Sequence, residues 1–153
     1  SYDELKQKAI NSGTNVMYLS RGDHLKLGHL KIDCLWPDKN PKENVNEQSQ
    51  TFIIEAFDKR LLFTGDIGKG SEESILKYGN IGKVDILKVA HHGSKNSSLK
   101  AFIDNVSPTY AVISYGKNNH YGHPSPKTLD TLREKGCIIY ETAKMGAIEV
   151  KLR

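Results

Sequence analysis

The hydrophobic pattern of the chain changes character near its middle. Over residues 30–36, Leu30, Ile32, Cys34 and Trp36 alternate with Lys31 and Asp33, as a strand with one wet face requires. A shorter run from Leu25 to Leu27 precedes it, bounded by turns at Gly22-Asp23 and Gly28-His29, so the two read as a hairpin. Residues 16–19 read as one more short strand. Residues 51–57 and 60–64 form the next hairpin, turning at Asp58-Lys59. Beyond them the pattern alternates in type. Strand-like runs at 84–90, 110–114 and 137–141 are separated by helical patterns at 71–78, 98–106 and from Pro126 to Glu134-Lys135. A last strand over 147–152 follows a turn at Lys144-Met145-Gly146. A helix over Tyr2–Asn11 opens the chain, with Leu5, Ala9 and Ile10 at helical spacing and Asn11-Ser12-Gly13 as its stop.

Punctuation residues sharpen these elements. Ser71 is a candidate N-cap, with Glu72 and Glu73 suited to the positive end of the helix dipole. Pro126 fits a first helical turn and Gly136 lies just beyond the helix end. Residues 37–50 are polar, hold two prolines and read as a long loop. Hairpins in the first half and alternating strands and helices in the second predict an α/β (α+β) fold. It is a single domain over 1–153, a mixed sheet with helices packed on one face. No internal repeat or low-complexity tract interrupts it.

Composition adds boundaries. At 37% hydrophobic and 26% charged the chain is an ordinary globular sequence, without an apolar run long enough to span a bilayer and without a signal peptide. Its net charge of +4 is compatible with a polyanionic partner, but taken alone reads first as a solvated, Lys-rich surface. Cys34 and Cys137 sit in strand-like runs and read as buried thiols; two cysteines allow one bridge, not a disulfide framework. Ser1-Tyr2-Asp3-Glu4 has no starting Met and runs straight into a helix, which suggests an excised segment of a longer protein.

Three clusters carry candidate chemistry, each where a strand ends. Thr64-Gly65-Asp66 follows the apolar Leu61-Leu62-Phe63, and flanking Gly65 and Gly68 leave room for an ion. Alone, Thr-Gly-Asp is a short, common string whose Asp reads first as a cap for the next helix. His91-His92-Gly93-Ser94 ends the run at 84–90. If that segment is extended, adjacent side chains point oppositely and only one histidine faces a shared metal. Gly93 favours His92, leaving His91 to orient the site. A carboxylate and an imidazole so placed make half of a metal site. The third cluster is Asn118-Asn119-His120-Tyr121-Gly122-His123-Pro124. His123, its backbone held by the following Pro124, reads as a hydrogen-bond partner for phosphate or a proton donor to a leaving oxygen. The plain reading of Asn118 and Gly122 is turn chemistry, while for His123 a structural and a functional reading stand level.

Together these clusters resemble the metallo-β-lactamase superfamily, and more narrowly the metallo-hydrolase domain of ComEC-type competence proteins, which take up DNA. The resemblance runs through Leu19 to Asp23, Leu35-Trp36-Pro37, Leu62 to Asp66, Asp85 to Ser94, and Ser114 to Pro124. It implies a four-layer αββα sandwich with one or two divalent metals, zinc or manganese, at one edge of the sheets. It implies that Asp66 is the bridging ligand, that one of His91 and His92 is a histidine ligand, and that phosphodiesters or other esters and amides are hydrolysed. Ser94, Lys95 and Asn118 join His123 as candidate substrate contacts. The family's His-x-His-x-Asp-His motif is absent from these 153 residues. The chain therefore reads as the C-terminal half of such a domain, inactive alone. It would belong to a parent in the bacterial cell membrane that presents this soluble module outside the cytoplasm. Expected partners are DNA, other DNA-uptake proteins and a second copy held through the exposed sheet face. A stand-alone hydrolase of the same superfamily and a degenerate, metal-free DNA-binding module are the alternatives.

Overall fold

Seven strands pair in sequence order to form one mixed sheet in the computed structural model, which describes residues 1–39 and 46–152. Antiparallel pairing joins β1 (His24–Leu27), β2 (Leu30–Trp36), β3 (Thr51–Ala56) and β4 (Lys59–Phe63). β5 (Ile86–Lys88), β6 (Tyr110–Ile113) and β7 (Ile138–Glu141) then add in parallel to β4. The chain opens with α1 (Tyr2–Asn11), capped by a reciprocal pair in which Ser1 accepts from the Glu4 N–H and Glu4 reaches back to Ser1. The parallel crossovers run through α2 (Lys69–Lys77), α3 (Lys100–Val106) and α4 (Pro126–Glu134); α5 (Thr142–Met145) follows β7. Right-handed crossovers that always advance the sheet in one direction leave every crossover helix on the same face. The predicted mixed sheet with helices on one face is the observed architecture.

The core sits between that face and the helices. Ile53, Leu62, Leu87, Ala111 and Ile113 point toward Ile75, Phe102, Ile103, Val106 and Leu132, all of them buried. The alternate residues form the opposite face, where Phe63, Tyr110 and Ile138 are 40%, 38% and 50% exposed. In-register pairing lines up Phe63 with Lys88, Lys88 with Val112, and Tyr110 with Ile138, so this second face is apolar and open.

Two predicted strands do not form. Residues 16–19 pair with no strand, and Met17 and Tyr18 are more than 60% exposed. A short apolar run becomes a strand only where an edge accepts its hydrogen bonds. Residues 147–152 instead lie over the open sheet face, Ile148 and Val150 lining a concavity with Leu61, Ile86 and Val112. The expected turn at Lys144-Met145-Gly146 is largely α5.

Helix starts also differ. Gly68, not Ser71, precedes α2. The Ser71 hydroxyl donates to Glu47, whose carboxylate also accepts the Ser71 N–H at 3.1 Å, so this helix is capped from a distant segment. The helix expected from residue 98 begins at Lys100, because the Ser98 and Leu99 N–H groups both donate to Glu72 at 2.7 Å. Of the predicted loop over 37–50, residues 40–45 lie outside the described residues; Asn46–Gln48 forms one short helical turn whose Glu47 carbonyl accepts from the Trp36 indole. Cys34 and Cys137 are both free.

Candidate functional site

β4, β5 and β6 are adjacent and parallel, so the loops leaving their C-terminal ends meet at one edge of the sheet, where parallel α/β sheets commonly bind ligands. The first loop carries Asp66. Buried Thr64 donates its hydroxyl to the Lys88 carbonyl at 2.7 Å, and buried Ile67 anchors the other side. Gly65 turns through a left-handed conformation (φ 54°), and a Cβ there would come within 2.8 Å of the Ser49 Cβ. Asp66 is thus held up between two buried residues. The Lys88 ammonium donates to the Gly65 carbonyl at 3.2 Å and lies 4.0 Å from the Asp66 carboxylate. Burial lowers the Lys88 pKa, and the Asp66 charge partly opposes that shift.

The second loop departs from the expected extended form. His91 (φ 47°, ψ 44°) and His92 (φ 54°, ψ 24°) are both left-handed. Left-handed geometry costs a non-glycine residue about 1–2 kcal/mol, so two in succession need outside restraint. The restraint is visible: the His91 N–H donates to the Gly65 carbonyl at 3.1 Å and the Ser94 N–H to the His91 carbonyl at 2.9 Å. Gly93 supplies the rest. A Cβ there would lie 2.6 Å from the Pro124 Cβ, so only glycine lets this turn dock on the third loop; the Ser125 N–H then bonds the Gly93 carbonyl at 2.8 Å.

This turn sends the two imidazoles to different neighbours. His92 Nε2 faces Asp66 Oδ1 at 3.7 Å. Its Nδ1 lies 2.6 Å from the Ser114 carbonyl, an acceptor that requires Nδ1–H, so Nε2 is the nitrogen presented to Asp66. His91 instead meets His123 edge to face, ring centroids 5.8 Å apart.

The third loop is closed by Asn119. Its side chain accepts from the His123 N–H at 2.9 Å and donates to the His123 carbonyl at 2.8 Å and the Gly116 carbonyl at 3.2 Å. The His123-Pro124 bond is cis. Burial, then the neighbouring His91 and His92, hold the His123 imidazole below the usual histidine range. Tyr121 stacks on His123 with centroids 5.9 Å apart. His92, Ser114, Tyr115, Asn119, Tyr121 and His123 line a concavity of ≈ 340 Å³.

The remaining candidates are dispersed. Lys95 and Asn118 are exposed. Ser94 is buried; its hydroxyl accepts from the Asn96 N–H and its carbonyl from the Ser97 and Thr128 hydroxyls. Sequence reasoning passed over Lys88 and the Ser114 carbonyl, named Asn119 only as part of the third cluster and read Glu72 only as a partner of the helix dipole. Of the two passed over, only Lys88 carried a signal, a cation inside the apolar run from Ile86 to Val89.

Asp66 and His92 are the right kinds of donor for a divalent ion, with the histidine's far nitrogen already anchored. They are too few. Among the described residues no three His, Cys, Asp or Glu side chains group closely enough to hold a metal.

The chain matches the family model described as Metallo-beta-lactamase superfamily over residues 4–117. It is 33% identical over 152 residues to ComE operon protein 3 of Bacillus subtilis (strain 168), covering 99% of this chain and 20% of that protein. To Competence protein ComA of Neisseria gonorrhoeae it is 34% identical over 122 residues, 79% of this chain and 18% of that protein. To Recombination protein 2 of Haemophilus influenzae it is 30% identical over 105 residues, 69% of this chain and 13% of that protein. The chain therefore spans a fifth or less of these curated relatives. Among solved structures, a mutant of CmlA beta-hydroxylase aligns with 84% of this chain and 32% of its own length, at a TM-score of 0.53 and 10% identity, a likeness of fold alone. With the family model covering most of its length and strand-end loops that gather Asp66, His92 and His123 at one sheet edge, this chain belongs to the metallo-β-lactamase superfamily.

Proposed function

We infer that these residues are the C-terminal part of a metal-dependent phosphodiester hydrolase domain that acts on DNA during its uptake, in a parent protein of the bacterial cell membrane. The observation that carries this reading is the Asp66–His92 pair: 3.7 Å apart, at the C-terminal sheet edge, with the imidazole oriented by the Ser114 carbonyl. The competence and recombination names of the relatives supply the DNA-uptake context. In this reading Asp66 and His92 contribute two ligands to zinc or manganese. Residues outside this chain complete the set, so the 153 residues alone are inactive. A bound divalent ion would stabilise charge on a phosphoryl oxygen and make water nucleophilic at neutral pH.

The other roles belong to this chain's own side chains. His123, neutral at pH 7 because its pKa is lowered, hydrogen-bonds a phosphate oxygen, and His91 fixes its orientation edge-on. Lys95 and Asn118 are exposed and meet the phosphate backbone. No helix among the described residues is long and apolar enough to cross a membrane, so the membrane assignment rests on the resemblance to ComEC-type competence proteins. The test is a kinetic split in the longer protein containing these residues. His123→Ala should lower kcat for bis-p-nitrophenyl phosphate with metal content unchanged, whereas His92→Ala should lower metal content. Loss of metal from His123→Ala, or full metal retention in His92→Ala, would contradict the assignment.

A further inference from the structure

Tyr121 is 83% exposed, the most open large hydrophobic side chain among the described residues. Its setting distinguishes it from a stray surface aromatic. The ring lies nearly parallel to the His123 imidazole, 19° between planes, and borders the concavity that also holds His92. Its loop is braced at both ends by Asn119, so the ring is presented in a fixed place rather than on a loose tip. With centroids 5.9 Å apart the two rings are offset, and the phenol ring is left largely open. A flat partner can extend the stack without any rearrangement of the loop.

We propose that Tyr121 is the stacking platform for a nucleobase of single-stranded nucleic acid whose phosphodiester lies against His92 and His123. The inference rests on the phosphodiester reading and names its substrate class. A tyrosine ring offers large planar area at the entropy of two torsions, and every base has a π-face, so such a platform binds without sequence preference. Single strands are specified because bases inside a duplex are already stacked on one another. Truncating a base-stacking aromatic typically costs about 5- to 150-fold in affinity.

The experiment uses the longer protein containing these residues, with EDTA present to prevent cleavage, and measures binding of a fluorescein-labelled dT12 strand, an abasic 12-mer of equal charge and an rU12 strand by fluorescence anisotropy. Wild type should bind dT12 at least about 5-fold more tightly than the abasic strand. Tyr121→Ala should remove that preference, with an unchanged melting temperature since the side chain is exposed, and Tyr121→Trp should restore it. Comparable rU12 affinity identifies the base, not the sugar, as what is read; a preference for dT12 over rU12 confines the platform to DNA. Equal wild-type binding of dT12 and the abasic strand would overturn the platform while leaving the phosphodiester reading intact, and so would a preference that survives in Tyr121→Ala. Absence of binding to every strand would overturn the phosphodiester reading and the platform with it.

Discussion

Glu72 joins α2 to the loop that follows the histidine pair, and its removal should be costly in a pH-dependent way. The carboxyl is fully buried and accepts the Ser98 and Leu99 N–H groups, both at 2.7 Å. Burial raises its pKa to about 7 against the pull of those two donors. Glu72→Ala leaves two buried donors unmatched, at about 1–3 kcal/mol each, and opens a cavity. The expected loss is about 3–5 kcal/mol, a large part of the 5–15 kcal/mol typical of a domain. Glu72→Gln keeps the volume but turns an NH₂ toward one donor, so about 1–3 kcal/mol is lost. The pH dependence follows from linkage. The folded protein holds a proton on Glu72 that the unfolded chain releases above pH 4.5, so the wild type loses stability as pH rises from 4.5 to about 7. At about 1.4 kcal/mol per pH unit that is about 3 kcal/mol. Urea denaturation at pH 5 and pH 8, followed by circular dichroism, should therefore show a wild-type advantage over Glu72→Gln that shrinks by about this amount at pH 8. An advantage that is constant or grows with pH would refute the buried neutral carboxyl. Equal stability of Glu72→Gln at both pH values would refute its role as a cap.

Other consequences are open to direct measurement. Gly93→Ala combines a left-handed φ of 80° with a Cβ 2.6 Å from Pro124, and should cost about 2–4 kcal/mol in urea without a change in m; near-wild-type stability would contradict the docking of the two loops. His123 should titrate below its ordinary value in a proton NMR pH series, and His91→Gln should raise its midpoint. Because the folded pKa is depressed, the stability contribution of His123 is present at neutral pH and lost as pH falls through the histidine range; a midpoint at or above the ordinary value would contradict the described packing. The open face bearing Phe63, Tyr110 and Ile138 should drive self-association of this chain in sedimentation velocity, reversed by Phe63→Asp with Ile138→Asp. A strictly monomeric wild type would count against an apolar face in need of cover.

How legible this molecule is from its sequence depends on how local the physics is. The strand at 30–36 announces itself by alternation, the hairpin at 51–64 by its turn at Asp58-Lys59, and α4 by Pro126 and Gly136, because these signals act within a few residues. The apolar run at 16–19 and the alternation at 147–152 carry local signals just as plain. Whether an alternating run joins an edge or lies across a face is decided by neighbours far along the chain. Helix starts failed for the same reason: Glu47 and Glu72 cap from 24 and 26 residues away. Placement at strand ends was enough to single out Asp66, His92 and His123. It could not show that His91 and His92 are left-handed, since only contacts with Gly65, Ser114 and Pro124 hold them there. Lys88 went unread because a lysine in a buried strand has no local explanation; its partner is the Gly65 carbonyl.

The most direct test is Mn²⁺- or Zn²⁺-dependent cleavage of single-stranded DNA and bis-p-nitrophenyl phosphate by three proteins: residues 1–153, the longer protein containing them, and that longer protein with Asp66→Ala. Residues 1–153 should be inactive, the longer protein active only with metal, and Asp66→Ala inactive. Full activity of Asp66→Ala in the longer protein would contradict the hydrolase reading, and robust activity of residues 1–153 alone would contradict the incomplete site.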